Sequence, residues 1–345
     1  MEGSKPIISV IVPMFNTEEF IQEAIDSLLG QTLQNIEIIL IDDYSTDATY
    51  DLALPYTFHY NHIVLLRQKE NRGVSAARNA GLAVARGEFI FFLDSDDTIP
   101  SYSLEMMYNA AVKHRADIVT GVYERFDKRS KSISNIYNIY PELKNEGDMN
   151  LYEVPGLLYS VYSCGKLFKR NMILEATFLE TVNYGEDQIF TIEAFLKSNR
   201  IYNLSSIIYN YRVRDGETES LSQSIYKDPV KNFEYLQEML KVIENLFIQY
   251  VSNPQVRLRL FSVYLSRVLH WNIWTALSHG LLSMNMSTRI MIITNYISWY
   301  ENLNNALYET NRSDFYVINH KVNRIRNVVD SRTQELCDRL QFKFQ

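Results

Sequence analysis

The stretch that most constrains the fold of this 345-residue chain is Glu88–Asp97, which reads E-F-I-F-F-L-D-S-D-D. Its five large apolar residues, Phe89–Leu93, follow Gly87 and form too short a run for an isolated helix. An unbroken apolar run of this length is typical of a strand that is buried on both faces. The pattern therefore predicts a strand in the middle of a parallel or mixed sheet.

Three carboxylates, Asp94, Asp96 and Asp97, come directly after the apolar run. In open α/β sheets ligands bind outside the carboxyl ends of the strands, and carboxylates clustered there repel one another unless a cation lies among them. Oxygen ligands suit Mg²⁺ or Mn²⁺ bound together with substrate phosphates. The alternative is a solvated turn whose acids cap a helix predicted over residues 101–113.

Strand and helix patterns alternate along the first two thirds of the chain. Predicted strands cover residues 7–12, 36–41, 63–67, 88–93, 116–123 and 200–209, and predicted helices cover residues 17–30, 74–86, 101–113 and 186–198. Pro13 is expected to stop the first strand, and Thr17 is expected to cap the first helix. Alternation at this spacing predicts a sheet with helices on both faces.

The pattern changes twice further along. Residues 124–150 are rich in Lys, Ser, Asn, Tyr and Glu and hold no period, which predicts a long surface loop or an irregular excursion. From residue 226 the pattern is helical, with predicted helices over residues 233–248, 256–279, 286–307 and 314–341. We therefore predict an α/β domain over residues 1–225 and an all-α module over residues 226–345.

The charge balance argues against a nucleic-acid partner. Residues 226–345 hold 14 Lys and Arg against 10 Asp and Glu, whereas the rest of the chain holds 20 against 31 and is strongly acidic. The two cysteines, Cys164 and Cys337, offer no disulfide framework, which favours a reducing compartment. The sequence starts without a signal-peptide pattern and holds no apolar stretch of the ~18 residues that a membrane helix needs, so we expect a cytoplasmic protein.

Polar residues also follow the first two predicted strands. Pro13-Met14-Phe15-Asn16 replaces the glycine-rich loops of dinucleotide and P-loop enzymes, but a turn that begins with proline can still hold a nucleotide, or be an ordinary strand exit. Asp42-Asp43 follows the second strand. A carboxylate there can accept hydrogen bonds from a base N–H or a ribose hydroxyl, unless the residues behind it only cap the next helix.

Two further segments carry candidate functional residues. Arg78 lies on a helix of small residues that Asn71-Arg72-Gly73 precedes, and it matches phosphate oxygens, unless it is one exposed arginine on a tightly packed helix. Gly185-Glu186-Asp187-Gln188 opens the helix predicted over residues 186–198. A carboxylate there could act as a general base, although the helix dipole alone favours acids in a first turn.

Together these segments resemble the family 2 glycosyltransferases with the GT-A fold. The matching blocks are S-V-I-V-P-M-F-N (9–16), I-D-D-Y-S-T-D (41–47), N-R-G-V-S-A-A-R-N-A-G (71–81), F-L-D-S-D-D (92–97) and G-E-D-Q (185–188). The resemblance covers about residues 6–210 and departs at Tyr44, where the family often has glycine. The segment K-L-F-K-R (166–170) looks like bacterial enzymes that decorate capsule, exopolysaccharide and teichoic acid.

The resemblance implies a fold and a reaction. The fold is a Rossmann-like nucleotide-sugar-binding sheet flanked by helices, with nucleotide-sugar binding in residues 6–123 and the acceptor side in residues 124–225. The reaction is transfer of a hexosyl or N-acetylhexosaminyl group, with inversion, from a UDP-sugar to a glycan, a polymer or a glycoprotein. Residues 124–150 and the helical module would shape the acceptor site. The module could also contact the membrane surface peripherally, at its inner face, or form a homo-oligomer.

The resemblance also implies roles for individual residues. Those placed against the nucleotide sugar are Pro13, Phe15, Asp43, Asn71, Arg78, Asp94 and Ser95. Asp43 would accept from the uracil, and Arg78 would lie near the nucleotide or diphosphate. Asp94 and Asp96 would form the D-x-D motif, with Asp96 as the direct ligand of Mn²⁺ or Mg²⁺. Asp187 would be the base, supported by Glu186.

Two other functions remain open at this point. A nucleotidylyltransferase also uses a metal and a nucleotide, but it normally shows a Gly-rich, basic loop after the first strand, where this chain has P-M-F-N. A catalytically silent sugar-binding or scaffold protein would have no need of Asp94, Asp96 and Asp187. Loss of metal-dependent UDP release with every donor would favour this second alternative.

Overall fold

The computed structural model describes residues 5–182, 185–214 and 229–268, together with position 331. The chain divides into two compact units, Met1–Asp215 and Gly216–Gln345. The boundary predicted between residues 225 and 226 lies outside the described residues, and so does the helix predicted over residues 286–307. Of the helix predicted over residues 314–341, only position 331 is described.

The first unit contains one nine-stranded sheet in its described part. Its strands are β1 (Ile8–Met14), β2 (Ile36–Asp42), β3 (Ile63–Arg67), β4 (Phe89–Phe92), β5 (Ile118–Phe126), β6 (Lys131–Ile133), β7 (Gly147–Met149), β8 (Leu167–Lys169) and β9 (Ile201–Arg212). Its α-helices are α1 (Ile21–Leu29), α2 (Thr49–His59), α3 (Val74–Val84), α4 (Ser103–His114), α5 (Ile136–Ile139) and α6 (Glu186–Lys197). Short 3₁₀ helices cover Pro141–Lys144, Pro155–Tyr159 and Arg170–Met172.

The sheet is mixed, with strand order β3-β2-β1-β4-β8-β5-β9-β7 and with β6 paired to β5. The first four strands of this order are parallel, and β8 runs antiparallel to both β4 and β5. Because β5 and β9 are again parallel, the carboxyl ends of β1, β2, β4, β5 and β9 lie at one edge. The predicted α/β sheet is confirmed, and its ligand-binding edge is defined by these ends.

The strand predicted from the apolar run is the centre of the core. β4 lies between β1 and β8, and all four of its residues are buried. Phe92 makes edge contacts with three other rings, at centroid distances of 5.2–6.1 Å, from Phe168, Phe178 and Phe190. Burial of a phenylalanine ring contributes roughly 1.5–3 kcal/mol to folding. These rings therefore fix the end of β4, which carries the acidic motif, against the segments on either side of it.

The start of the chain differs from the sequence prediction in two places. β1 does not stop at Pro13, which pairs with Ile41 of β2. The proline is tolerated because the pairing of β1 with β4 ends at Ile11, two residues earlier, so no ladder hydrogen bond is lost on that side. Thr17 does not cap α1: its carbonyl accepts from the N–H groups of Phe20 and Ile21 in a turn, and α1 begins at Ile21.

Other elements of the first unit were missed or misjudged. Helix α2 was not predicted, because it contains Pro55 and has little amphipathic pattern. The three-residue strand β8 was too short to detect. The prediction of a surface loop over residues 124–150 is wrong: β6, α5, a 3₁₀ helix and β7 lie there. Four of its apolar side chains are buried, namely Ile136, Tyr137, Leu143 and Met149.

The described part of the second unit consists of two helices, α7 (Pro229–Tyr250) and α8 (Pro254–Arg267). Asn253 caps α8, because its side-chain oxygen accepts from the N–H groups of Gln255 and Val256. The two helices pack through buried apolar side chains, and Phe247 meets Phe261 edge to face at 6.0 Å. The predicted helix over residues 233–248 is confirmed, and the part of the second prediction beyond residue 268 lies outside the described residues. No helix in the described part of the chain is long and apolar enough to cross a membrane.

Candidate active site

Arg78 connects the acidic motif after β4 to the start of α6. Its Nη2 donates to Asp94 Oδ1 and its Nη1 donates to Glu186 Oε1, both at 2.9 Å. The side chain is only 5% exposed, and its guanidinium lies 5.2 Å from the centroid of the Phe178 ring. The alternative of an exposed arginine on a packed helix is therefore wrong. Instead, this buried cation joins two other sequence-predicted site residues, Asp94 and Glu186.

The charge of Arg78 is set by its neighbours. Burial alone would lower the pKa of Arg78, but the negative charges of Asp94, Glu186 and Asp187 raise it. The guanidinium therefore stays ionised and holds the carboxylates at the fixed positions that its two bonds define. Because Asp187 contributes to this effect, it lies close to the same cation.

Small residues on α3 allow Arg78 to lie this deep. A Cβ at Gly81 would clash with the Ile11 side chain on β1, so the helix packs directly on the strand. Gly73 precedes the first residue of α3 and has φ +86°. Five residues further along, the side chain of Arg78 leaves α3 toward Asp94, which follows β4. The motif of small residues predicted a close approach, and the structure confirms it.

Asn79, the next residue on α3, holds the segment that leads to α6. Its side-chain oxygen accepts from the Phe178 N–H at 2.9 Å, and its amide donates to the Phe178 carbonyl at 2.8 Å. The Phe178 ring in turn stacks on Phe190 of α6 at 4.2 Å. Gly185 begins α6 with φ +83°, a conformation that glycine adopts without strain. These contacts position Glu186 and Asp187, and the sequence motif gave Asn79 no such role.

The D-x-D carboxylates are both engaged by arginines. Asp96 Oδ2 accepts from Arg214 Nε at 2.7 Å, and the Asp96 carbonyl accepts from Arg212 Nε at 2.6 Å. Burial raises the pKa of Asp96, and the charge of Asp94 adds to this, while Arg214 opposes it. The site therefore favours additional positive charge at Asp96. Arg212 is the last residue of β9 and Arg214 follows it, and no motif pointed to either.

Asp97 faces inward and has a structural role. Its Oδ2 accepts from the Tyr209 hydroxyl and its Oδ1 accepts from the Arg212 N–H, each at 2.7 Å. The Tyr209 hydroxyl also accepts from the Asp94 N–H at 3.3 Å. Burial, with the charges of Asp96 and Asp94, raises the pKa of Asp97 well above its ordinary value. Asp97 and Tyr209 thus join the end of β9 to the D-x-D turn.

Replacing Tyr209 with phenylalanine is expected to destabilise the protein by about 1–3 kcal/mol, because Asp97 loses a buried donor. Urea unfolding measures this as a lower midpoint with an unchanged slope. Tyr102 is an exposed tyrosine, and Tyr102→Phe serves as the matched control that should leave the midpoint unchanged. An unchanged midpoint in Tyr209→Phe would show that the hydroxyl contributes nothing to this link.

Of the residues predicted to hold the nucleotide sugar, Pro13 and Phe15 lie at the carboxyl end of β1 and Asp43 follows β2, whereas Asn71 lies in the loop between β3 and α3. Pro13 is buried, whereas Phe15 is 43% exposed and Asn71 is exposed. Both oxygens of Asp43 accept backbone N–H groups at the start of α3, from Arg72 at 2.9 Å and Gly73 at 2.7 Å. In this structure Asp43 therefore orders the Asn71–Gly73 loop. Its contact with a base, and the roles of Pro13, Phe15, Asn71 and Ser95, stay predictions.

Tyr44 explains why glycine is common at this position in the family it resembles. Its φ is +65°, in the left-handed region that disfavours residues with a Cβ. The side chain is 47% exposed, and the guanidinium of Arg67 lies 5.4 Å from its ring centroid. Arg67 also pairs with buried Asp42 at 3.0 Å. The turn thus keeps the shape that a glycine would allow, at a small cost in backbone strain.

A divalent cation is compatible with the D-x-D motif only with ligands from outside the protein. Among the residues that the structure describes, no group of three or more His, Cys, Asp or Glu side chains could hold a metal ion. Asp94 and Asp96 each give one oxygen to an arginine. Mg²⁺ is usually bound by one or two carboxylates together with waters and substrate phosphates. The donor set of Asp94 and Asp96 fits that arrangement, and a cation at Asp96 would compete with Arg214.

Comparison with known sequences gives consistent results. The sequence model of the family described as Glycosyl transferase family 2 matches residues 9–175. The chain is 30% identical over 334 residues to the poly(ribitol-phosphate) beta-N-acetylglucosaminyltransferase TarP of Staphylococcus aureus (strain N315), covering 92% of this chain and 95% of that protein. It is also 31% identical over 268 residues to a poly(ribitol-phosphate) beta-glucosyltransferase of Bacillus spizizenii. That match covers 75% of this chain but only 40% of that protein's length.

A solved structure shows the same fold. The crystal structure of S. aureus TarS residues 1–349 in complex with UDP-GlcNAc superposes with a TM-score of 0.74. The match covers 91% of this chain and 87% of that one, at 23% sequence identity. At this identity the likeness shows the fold alone, and it confirms the predicted sheet with its appended helices.

Proposed function

Because this chain belongs to glycosyl transferase family 2, we propose that it moves a sugar from a UDP-sugar to a hydroxyl of a cell-surface polymer, with inversion at the anomeric carbon. The observation that carries this proposal is the bridge that Arg78 makes between Asp94 and Glu186. It brings the motif expected to hold the diphosphate next to the helix start that carries the expected base. Neither a nucleotidylyltransferase nor a silent binding protein is favoured by a specific contact in the described residues.

In the proposed reaction Asp187 accepts the proton of the attacking hydroxyl as the new C1–O bond forms and the bond to UDP breaks. One base is sufficient for inversion, and no covalent enzyme intermediate is needed. Glu186 is held by Arg78, so the first turn of α6 is fixed while the adjacent carboxylate acts. A positioned carboxylate typically contributes a factor of ~10²–10⁴ to the rate.

The metal part of the proposal rests on Asp94 and Asp96. Mn²⁺ or Mg²⁺, when bound, supplies Lewis-acid stabilisation of the negative charge on the leaving diphosphate. Asp96 would be the direct ligand, and its raised pKa is consistent with a position that favours added positive charge. Arg214, released from Asp96, would remain close enough to contact a phosphate oxygen, since its Nε lies 2.7 Å from the carboxylate.

The acceptor is proposed from the relatives. Two proteins similar to this chain are named as poly(ribitol-phosphate) glycosyltransferases, so we propose an acceptor with repeating phosphate groups and free hydroxyls. Cytoplasmic location, contact with the inner face of the membrane and homo-oligomerisation through residues 226–345 stay predictions. Much of that segment lies outside the described residues.

The test of the proposed function is UDP release from a panel of UDP-sugars without acceptor, in Mn²⁺, Mg²⁺ or EDTA. We expect slow hydrolysis of one donor, reduced about 10–100-fold in EDTA and in Asp96→Ala, because charge on the diphosphate is no longer offset. Asp51→Ala, which removes an exposed acid in the first turn of α2, is the control and should hydrolyse the donor normally.

Two results would contradict the proposal. Equal hydrolysis in EDTA and in Mn²⁺ would show that the reaction needs no divalent cation. Absence of hydrolysis with every donor, together with no binding of UDP by calorimetry, would show that the donor is not a UDP-sugar. If UDP binds but no donor is hydrolysed, the assay is repeated with an acceptor: UDP release then supports the transferase, and its continued absence favours a catalytically silent binding protein.

A further inference from the structure

A group of exposed positive charges lies on the hairpin that β5 and β6 form. We call residues 124–133 the basic hairpin. Its four cationic side chains are all exposed, and they are Arg125, Lys128, Arg129 and Lys131. Most of this unit has the opposite charge, since residues 1–215 hold 29 acidic against 20 basic residues. A polyanion is therefore repelled by most of the unit's surface and attracted here.

The two acids of the basic hairpin are engaged within it. Glu124 pairs with Lys131 at 3.3 Å across the two strands. The carboxylate of Asp127 accepts from the N–H groups of Arg129 and Ser130, each at 2.7 Å, and thereby closes the turn. These contacts hold Lys128 and Arg129 at the tip, where no ion pair to another element is formed by the described residues. The tip thus presents positive charge to the solvent.

The basic hairpin stands at the same edge of the sheet as the D-x-D motif. Phe126 is the Cα partner of Arg212, and Arg212 Nε donates to the Asp96 carbonyl at 2.6 Å. The Arg212 guanidinium also lies 4.4 Å from the centroid of the Phe126 ring. Only one residue, Arg212, therefore separates the base of the hairpin turn from the carboxylate motif.

The hydrogen bonds of Arg212 give the level of the hairpin relative to the site. The Arg212 N–H donates to Asp97 Oδ1 at 2.7 Å, and Arg212 pairs with Phe126 in the ladder between β9 and β5. Because neighbouring strands lie ~4.8 Å apart, the base of the turn stands level with the acidic motif, and the turn between β5 and β6 extends beyond it. The hairpin thus borders the candidate active site, and its tip is positively charged.

From this placement we infer that the basic hairpin binds the acceptor as a chain of repeating phosphodiesters and holds it while one of its hydroxyls enters the active site. The inference rests on the proposed function and adds the surface that selects a polyanionic acceptor. Lys128 and Arg129 contact phosphate oxygens, while Arg125, whose guanidinium lies 5.9 Å from the centroid of the Tyr211 ring, extends the contact toward the site. A membrane surface is the less favoured partner, because Ile133 is the only large apolar side chain that the hairpin exposes.

The test compares three variants of this chain with the wild type. Lys128→Gln with Arg129→Gln removes the charge at the tip, and Lys128→Arg with Arg129→Lys retains it. The matched control is Lys113→Gln with Arg115→Asn, which removes two exposed charges at the amino end of β5, at the opposite edge of the sheet. Asparagine is chosen at Arg115 because φ is +51° there. Binding of long-chain inorganic polyphosphate is measured between ~50 and ~200 mM salt, and binding of phosphatidylglycerol vesicles is measured in parallel.

We expect the charge-removing hairpin variant to bind polyphosphate about tenfold more weakly at low salt, with a salt dependence reduced by about one unit in the logarithmic slope. The charge-retaining variant and the matched control should bind as the wild type does. Equal polyphosphate binding by the hairpin variant and the wild type would overturn the inference. So would a hairpin variant that loses vesicle binding but keeps polyphosphate binding, since the hairpin would then be a membrane contact.

Failure of this inference can be distinguished from failure of the proposed function. Donor hydrolysis without acceptor should be the same in all three variants and the wild type, because none of the substituted residues belongs to the proposed catalytic or metal site. If the wild type hydrolyses no UDP-sugar and binds no UDP, the proposed function fails, whether or not the protein binds polyphosphate. If hydrolysis is normal and the charge-removing hairpin variant binds polyphosphate as the wild type does, only the inference about the hairpin fails.

Discussion

Replacing Asp187 with asparagine is expected to lower the rate of sugar transfer by about 10²–10⁴-fold and to leave UDP binding intact. The amide has nearly the same size as the carboxylate, so the first turn of α6 should keep its shape. It cannot accept the proton of the attacking hydroxyl, however, and that proton must then leave without a base. Turnover with the reactive donor and an acceptor gives the rate, and calorimetry with UDP and Mn²⁺ gives the affinity.

Glu193 offers a matched control for this substitution on the same helix. It pairs with Lys197 one turn further along at 2.7 Å, away from the first turn. An ion pair of this kind contributes about 0.3–0.5 kcal/mol, so Glu193→Gln should turn over normally. Near-normal turnover in Asp187→Asn would assign the base to another group. Loss of UDP binding in that variant would show that Asp187 serves the donor site instead.

Much of this site was predictable because its signals are local. The run from Phe89 to Leu93 is long enough for a buried strand, and polar residues that follow such a strand lie at the ligand-binding edge of a parallel sheet. The same holds for Asp43 after β2 and for the acids that open α6. These local signals follow one another in the order found in family 2 glycosyltransferases, and this order identified the family. The comparisons confirm that identification.

The rest of the site depends on contacts between distant segments, which no local pattern contains. Tyr209 and Asp97 are 112 residues apart in the chain, and Arg214 and Asp96 are 118 apart. They meet because β8, a strand of three residues, inserts between β4 and β5 and sets how far β9 lies from the D-x-D turn. A strand of that length carries no periodicity. Residues 124–150 were misjudged for a similar reason, since their four buried apolar side chains are spread over three short elements.

The burial of Arg78 could not be predicted from its position on α3 either. The sequence placed a cation among small residues, and this pattern fits an exposed arginine as well as a buried one. Two things determine whether Arg78 is buried or exposed. They are the direction in which its side chain leaves α3 and the presence of hydrogen-bond acceptors on two other segments, at Asp94 and Glu186. A charged group is buried only where such partners compensate for the loss of water. The predicted phosphate contact of Arg78 must therefore coexist with, or replace, one of these ion pairs.

Replacing Arg78 with methionine is expected to cost about 3–5 kcal/mol of stability and to abolish transfer. The apolar side chain can fill much of the space, but it leaves two partly buried carboxylates, Asp94 and Glu186, facing each other without a cation. The native state of the variant then binds protons more readily than its unfolded chain does. Its stability deficit relative to the wild type should therefore be largest near neutral pH and should shrink as the pH falls.

Urea unfolding of the wild type and the variant at neutral and acid pH measures this deficit. Arg72→Met is the matched control: it removes an ion pair to Glu180 that is more than half exposed on the arginine side, so it should cost no more than about 1 kcal/mol. Should Arg78→Met prove too unstable to purify, the same substitution combined with Glu186→Gln removes one of the stranded charges. This double variant is expected to recover part of the stability but none of the activity.

These variants separate two roles that Arg78 could have. If Arg78 acts only as a counter-ion, Arg78→Lys should restore most of the stability and a large share of the turnover, because the positive charge returns. If the bridge itself is required, lysine should restore stability in part and turnover very little, since one ammonium group cannot hold Asp94 and Glu186 in the forked geometry of a guanidinium. The structure favours the second result, because the two bonds leave from different nitrogens toward different segments of the chain. A lysine variant with full turnover would show that the geometry of the bridge is dispensable for the reaction.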